Sequence, residues 1–97
     1  MANVTVTREL EPQRGRYVGK VEGHAAEAVL TFQRPSPGIV VADHTLTPVP
    51  MRGQGVATAL VEQLIADARR EGFRIQPLCP FVADAFDRHP DWSDLRA

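Results

Sequence analysis

Met51-Arg52-Gly53-Gln54-Gly55-Val56-Ala57-Thr58-Ala59-Leu60 is the stretch around which this chain is organised. It is a glycine-punctuated loop that runs straight into a helical pattern. The residues before it read as a strand, so the loop occupies a strand-to-helix corner. At such a corner the first N–H groups of the helix lack internal partners, and the helix dipole adds partial positive charge. Phosphate groups bind that combination. The elements around the loop decide the fold, and the phosphate ligand it holds decides the function.

Downstream of the loop, residues 54–71 carry an apolar period of about 3.6. Ala57, Leu60, Val61, Leu64, Ile65 and Ala68 form one stripe, with Glu62, Gln63, Asp67, Arg69 and Arg70 off it. Gly72 supplies the helix stop. Residues 73–79 read as a strand interrupted by Pro77. Pro80 fits the first turn of a second helix running to about His89, with Phe81, Val82, Ala85 and Phe86 inward. Trp92 and Leu95 are placed to pin the tail back to the body.

Upstream of the loop the period is two. Residues 3–7 (Val4, Val6), 16–22 (Tyr17, Val18, Val21) and 26–33 (Val29, Leu30, Phe32) read as strands of an antiparallel meander. Turn formers at 11–15, 23–24 and 34–38 separate them. Residues 39–47 form the most apolar strand, and Val40, Val41 and Ala42 predict burial on both faces. Its second half turns polar at Asp43, His44 and Thr45, and simple alternation puts Asp43 and His44 on opposite faces. Proline at 48 and 50 ends it, since proline supplies no ladder donor.

The order is strands, helix, strand, helix. The first helix joins two strands that lie parallel through a right-handed crossover. The predicted architecture is α+β: a mixed, mostly antiparallel twisted sheet with two helices, as one domain over residues 1–97.

Composition agrees with a globular domain, at 43% hydrophobic and 24% charged residues in a chain of 97. A net charge of -1 advertises neither a nucleic-acid nor a membrane partner. A single cysteine, Cys79, forms no internal disulfide, and the scattered histidines give no metal-ligand spacing. No apolar run approaches the ~20 residues of a spanning helix, and no leader pattern opens the chain. A cytoplasmic location is the default expectation.

Three phosphate-loop patterns compete. A Walker loop requires lysine and serine or threonine after its last glycine, where this chain has Val56 and Ala57. A dinucleotide fingerprint is matched only in its first two glycines, and the loop follows hairpins rather than opening a βαβ unit. Arg52-Gly53-Gln54-Gly55-Val56-Ala57 fits the third pattern, Arg/Gln-x-x-Gly-x-Gly/Ala. Here the chain resembles the GNAT superfamily of acetyl-CoA-dependent N-acetyltransferases. His44-Thr45, Leu78-Cys79-Pro80-Phe81-Val82 and Arg88-His89-Pro90 extend the resemblance to a small stand-alone branch of the superfamily, from about Tyr17 to Leu95.

The resemblance implies a minimal GNAT-like fold whose central strand (39–47) and following strand (73–79) splay apart, with the thioester in the gap. It implies that coenzyme A lies on Arg52, Gly53, Gln54, Gly55, Val56, Ala57 and Thr58. N–H groups near Leu46 or Thr47 then polarise the carbonyl. Gly55 leaves the phosphates unobstructed, and Ala57 keeps the first helical turn narrow. Thr47 stands where the branch is more often apolar, and the link 48–51 is richer in proline; both bear on the pantetheine channel.

Two catalytic candidates follow. Cys79 is a nucleophile, an acid for the departing thiolate, or an inert core thiol. His44 is a general base or a hydrogen-bonded structural histidine. The implied activity is acetyl transfer from acetyl-CoA to an amine. The alternative is an acyl-CoA-binding module with little or no turnover. Residues 8–16 are too short for the extra helices that cover the acceptor in typical members, so the acceptor site is expected to be open or completed by a partner. The acceptor's identity and the oligomeric state stay open.

Overall fold

The computed structural model describes residues 3–97. The period-two stretches pair in chain order. β1 (Val4–Leu10), β2 (Arg14–Val21), β3 (Glu27–Ser36) and β4 (Ile39–Leu46) form an antiparallel meander. α1 (Val56–Glu71) then crosses over to β5 (Arg74–Pro77), which lies parallel to β4 at the edge of the sheet. α2 (Pro80–Arg88) and a 3₁₀ turn at Pro90–Leu95 close the described chain. The result is the predicted α+β architecture, a five-stranded mixed sheet in sequential order. Among the described residues, no helix is long and apolar enough to cross a membrane.

The strands run further than their turn formers suggest. Leu10 pairs with Gly15, and β3 continues through Pro35 to Ser36. A register irregularity between Gln33 and Ser36 accommodates that proline, whose missing N–H costs little in a disrupted ladder. β5 is shorter than predicted. After the Ala42–Pro77 pair, the N–H groups of Leu78 and Cys79 both donate to the Ala42 carbonyl, at 3.0 and 2.9 Å. These two hydrogen bonds to one carbonyl end the parallel ladder. Among the described residues, no strand pairs with residues 43–46 of β4 on that side, so the central pair splays as the resemblance implies.

One face of the sheet carries the core. Tyr17, Val21, Leu30, Phe32, Val40 and Ala42 meet the apolar stripe of α1, and α2 adds Val82, Ala85 and Phe86 to the same cluster. β4 is therefore not buried on both faces. Val40 and Ala42 are 4% and 0% exposed, whereas Ile39 and Val41 are half-buried, because both helices pack into one core and leave the other face open. Gly19 sets how closely α1 approaches: a Cβ there would lie 2.5 Å from Cγ2 of Val56. The helix ends at Gly72, which has φ 82° and donates its N–H to the Ala68 carbonyl at 2.8 Å.

Two local departures matter for the site. Thr31 pairs with His44 while Phe32 pairs with Ala42, so Asp43 is the extra residue of a β-bulge. The bulge resets the alternation. His44 takes the open face with its partner Thr31, and Asp43 faces that side too, its carboxylate accepting from Thr31 and Gln33. The opposite-face expectation for these two residues is corrected by that one inserted residue. Asp67, assigned off the apolar stripe, is also corrected: it is 2% exposed, turned inward by partners on other elements.

Candidate functional site

The glycine loop is built on a 3₁₀ turn, Val49–Met51, started by Pro48 and anchored by the fully buried Met51. The Met51 N–H donates to the Pro48 carbonyl at 2.9 Å, and Arg52 Nε donates to the Thr47 carbonyl at 3.3 Å. Gly53 and Gly55 have φ of 80° and 81°, in the region that side chains rarely adopt. A Cβ at either would meet nothing within 4 Å. Glycine is required here by backbone conformation, and the open space beside it is available to a ligand.

Gly55 is the residue before α1, and no side chain caps that helix or puts an acid in its first turn. The first internal bond runs from the Ala59 N–H to the Gly55 carbonyl at 3.0 Å. The N–H groups of Val56, Ala57 and Thr58 thus have no intrahelical partner and carry the positive end of the dipole. They border a groove of about 380 Å³ lined by Thr45, Thr47, Met51, Arg52, Gly53, Gly55, Val56, Ala57, Thr58 and Phe81.

Most of the sequence-predicted loop residues therefore share one wall. Gln54 and Leu46 do not line it. Gln54 is exposed, with its N–H 3.4 Å from the Met51 carbonyl. Leu46 pairs with Val29 on the open face and is 53% exposed. Sequence reasoning missed Thr45, Met51 and Phe81 as lining residues. Phe81 had a signal, since it opens the helix that follows the splayed strand.

Cys79 is 5% exposed and immediately precedes α2. Its Sγ lies 3.3 Å from the Thr45 hydroxyl, so it stands directly behind the groove wall. Thr45 pairs with Leu30 and shares the helix-covered face, whereas His44 is exposed on the other. The two catalytic candidates are thus on opposite faces of β4. On the open face a second cavity, about 800 Å³, lies between the β1–β2 turn and the bulge and includes Thr31, Gln33 and Asp43 in its lining.

The buried carboxylate belongs to neither cavity. Asp67 accepts from the Tyr17 hydroxyl at 2.6 Å and from Gln63 at 3.1 Å, and pairs with Arg8 at 3.2 Å and Arg70 at 2.7 Å. Burial alone raises its pKa, but these hydrogen bonds and charges outweigh it and hold the carboxyl below its ordinary range. Burial and the same carboxylate push the Tyr17 hydroxyl well above its ordinary value. The cluster fastens α1 to the first two strands. Among the described residues, no group of three or more His, Cys, Asp or Glu is arranged to hold a metal ion.

An uncapped helix behind a left-handed glycine loop, beside a parallel strand pair that opens, defines a small α+β protein that presents a bare helix start to a cleft. More narrowly, the model of the GCN5-related N-acetyl-transferase family matches residues 16–95, and the chain belongs to that family. Its class of function is acyl transfer. No curated protein matches the chain closely enough to add a named relative.

Proposed function

We propose that the protein is an N-acetyltransferase that takes an acetyl group from acetyl-CoA and passes it to an amine. The observation that carries this reading is the uncapped start of α1, whose free N–H groups border a groove reaching Thr45 beside the β4–β5 gap. The residues fit the ligand. Val56, Ala57 and Thr58 offer N–H donors for the pyrophosphate, and the left-handed Gly53 and Gly55 leave the approach open. Met51, Val56 and Phe81 give the groove an apolar wall for the pantetheine arm. The thioester end would lie toward Thr45 and Thr47, near unpaired backbone of β4.

In the transfer, the amine nitrogen forms a bond to the acetyl carbon, and the C–S bond breaks with its electron pair left on sulfur. Cys79 is assigned the proton delivered to that thiolate, and it is reprotonated from solvent once the thiol has formed. What favours an acid over a nucleophile is its partner: Sγ contacts the Thr45 hydroxyl, with His44 on the other face. A covalent relay through Cys79 would require a base beside it. His44 is assigned the amine's proton on the open side.

Calorimetric titration of acetyl-CoA, followed by thiol release with an amine panel, tests the proposal. Wild type is expected to bind and turn over. Gly55→Glu, which puts a charged side chain at the loop, is expected to weaken binding by at least about tenfold; undiminished affinity in that variant overturns the loop assignment. Cys79→Ala is expected to retain binding and lose about 10²-fold or more in kcat, with Cys79→Ser intermediate and His44→Ala reduced. Mass spectrometry after incubation with acetyl-CoA alone is expected to find Cys79 free. An acetylated Cys79 that discharges when amine is added would replace the acid role with a nucleophilic one.

A second reading keeps the loop and drops the turnover. It is favoured by the burial of Cys79 and its separation from His44. An acyl-CoA-binding module would give tight calorimetric binding, no thiol release with any amine, and no effect of Cys79→Ala.

A further inference from the structure

We propose that the outer edge of β1 is a self-association surface, and that its partner is β1 of a second copy of this chain, antiparallel and centred on Thr7. The two edges of the sheet differ. β5 is covered by the tail, through the Ile75–Arg96 bridge and the Ala97 N–H on the Ile75 carbonyl at 2.7 Å. β1 is the other end of the strand order, and among the described residues nothing pairs beyond it. Its bonds to β2 fix which groups face out. The Glu22 N–H donates to the Asn3 carbonyl at 2.9 Å and the Glu11 N–H to the Arg14 carbonyl at 2.8 Å, so the odd-numbered residues bond inward. The N–H and C=O groups of Val4, Val6, Arg8 and Leu10 point away from the sheet.

Edge strands are ordinarily blunted by proline, by bulges or by free charge. β1 has none of these. It holds no proline, its register with β2 is unbroken from Val4 to Leu10, and both its charges are bound within the copy. Arg8 lies 3.2 Å from Asp67 and 2.8 Å from Glu71, and Glu9 lies 2.8 Å from Arg16. The run Val4-Thr5-Val6-Thr7 favours strand pairing. β1 lends no residue to the groove beside the glycine loop, so this surface is separate from the transfer reaction.

The strand is complementary to itself in one register. Centred on Thr7, all four outward residues oppose outward residues, Val4 with Leu10 and Val6 with Arg8, and each pair can exchange both backbone bonds. The Val4 contact covers Leu10, which is 48% exposed in the single chain. On the other face Thr7 meets Thr7, and Glu9 meets Thr5. A register centred on Arg8 opposes like charges, and one centred on Val6 carries Leu10 past the partner's Val4. The pairing joins two five-stranded sheets into one. Because the tails cover both outer edges, association closes at two copies. One strand pair is a small interface, so the dimer is expected to depend on concentration.

Sedimentation equilibrium on the whole chain, in a series rising to about 1 mM, is expected to move from the single-chain mass of 10.7 kDa to twice that value and no further. Val6→Pro removes an outward donor and leaves the bonds to β2 in place. It is expected to raise the dimer Kd by about tenfold or more, since each dimer loses two bonds. A single-chain mass throughout overturns the proposal and leaves the edge to a strand of another protein. A mass that keeps growing past two copies overturns it as well, as does an unchanged Kd in a Val6→Pro chain that melts like wild type.

The register has its own test, which stands even if Val6→Pro fails to fold. The two Thr7 residues form a non-hydrogen-bonded pair with Cα atoms about 4.5 Å apart, within reach of a disulfide. The two Thr5 residues are about 13 Å or more apart, beyond that reach. Mild oxidation is expected to cross-link Thr7→Cys into a covalent dimer on a non-reducing gel. Thr5→Cys and wild type, whose Cys79 is 5% exposed, are expected to stay single chains. Absence of the Thr7→Cys cross-link, or an equal one in Thr5→Cys, overturns the pairing centred on Thr7.

Discussion

Asp67 shows what a single buried charge does in so small a core. An isolated carboxylate there would be costly, and its four partners offset that cost. Tyr17→Phe removes one donor and is expected to lower stability by about 1–2 kcal/mol in denaturant unfolding. Asp67→Asn strips the charge opposite Arg8 and Arg70 and is expected to cost about 2–4 kcal/mol near neutral pH. The pH dependence follows from the sign of the shift. Asp67 is held below its ordinary value in the folded state, so its contribution is full above an unfolded aspartate's pKa of about 3.9. It is lost as pH falls through the folded value. The stability gap between wild type and Asp67→Asn should narrow on acidification, and a constant gap would show that the charge is not the cause. At Gly55 the issue is conformation rather than space. Gly55→Ala, forced to φ near 81°, is expected to lose about 1–2 kcal/mol while adding only a methyl group to the groove side.

At the scale of elements, the seating of α1 on β2 decides where the loop sits. Gly19 gives up its side chain so that Val56 and Leu60 can approach β2. Gly19→Val would push the first turn of α1 outward. The expected result is about 1–3 kcal/mol of destabilisation and a weaker Kd for acetyl-CoA, read by thermal melts and calorimetry; a lowered Tm with unchanged affinity would uncouple helix seating from the loop. Much of this frame was legible in the chain. The stripe from Ala57 to Ala68, the stop at Gly72 and the glycine pair before the helix are local signals, and they located α1 and the corner it starts from. What stayed hidden is non-local. The bulge at Asp43 falls in a polar triplet, where neither face leaves a hydrophobic mark, so the reversed alternation of His44 had no trace in the sequence. Asp67 is polar on a helix and reads as solvated; the Tyr17 that buries it is 50 residues away. The wall of the groove beside the glycine loop was thus readable, while the placement of His44 and Asp43 depended on one inserted residue.

The whole molecule is held at its open edge by its last residues. Trp92 meets the Phe86 ring edge-on at 5.8 Å and stacks on His89 at 3.8 Å, and Leu95 is buried beside the same core. The Ala97 N–H donates to the Ile75 carbonyl at 2.7 Å, so the tail covers the free edge of β5. Arg69 ties α1 to the same segment through Asp94 at 3.2 Å and the Asp91 carbonyl at 3.0 Å. β5 leads through Cys79 into α2, which carries Phe81, so one wall of the groove beside the glycine loop depends on the brace that the tail provides. Trp92→Ala is expected to cost about 3 kcal/mol, a large share of the 5–15 kcal/mol that ordinarily holds a domain together. The loss should be uneven. Amide exchange should accelerate in β5 and α2 while β1 to β3 keep their protection, since the meander is paired independently of the tail. Acetyl-CoA affinity should fall with it, through Phe81 rather than through the loop glycines. Uniform acceleration across the sheet would instead mean that the tail supports the fold as a whole and has no particular hold on the site.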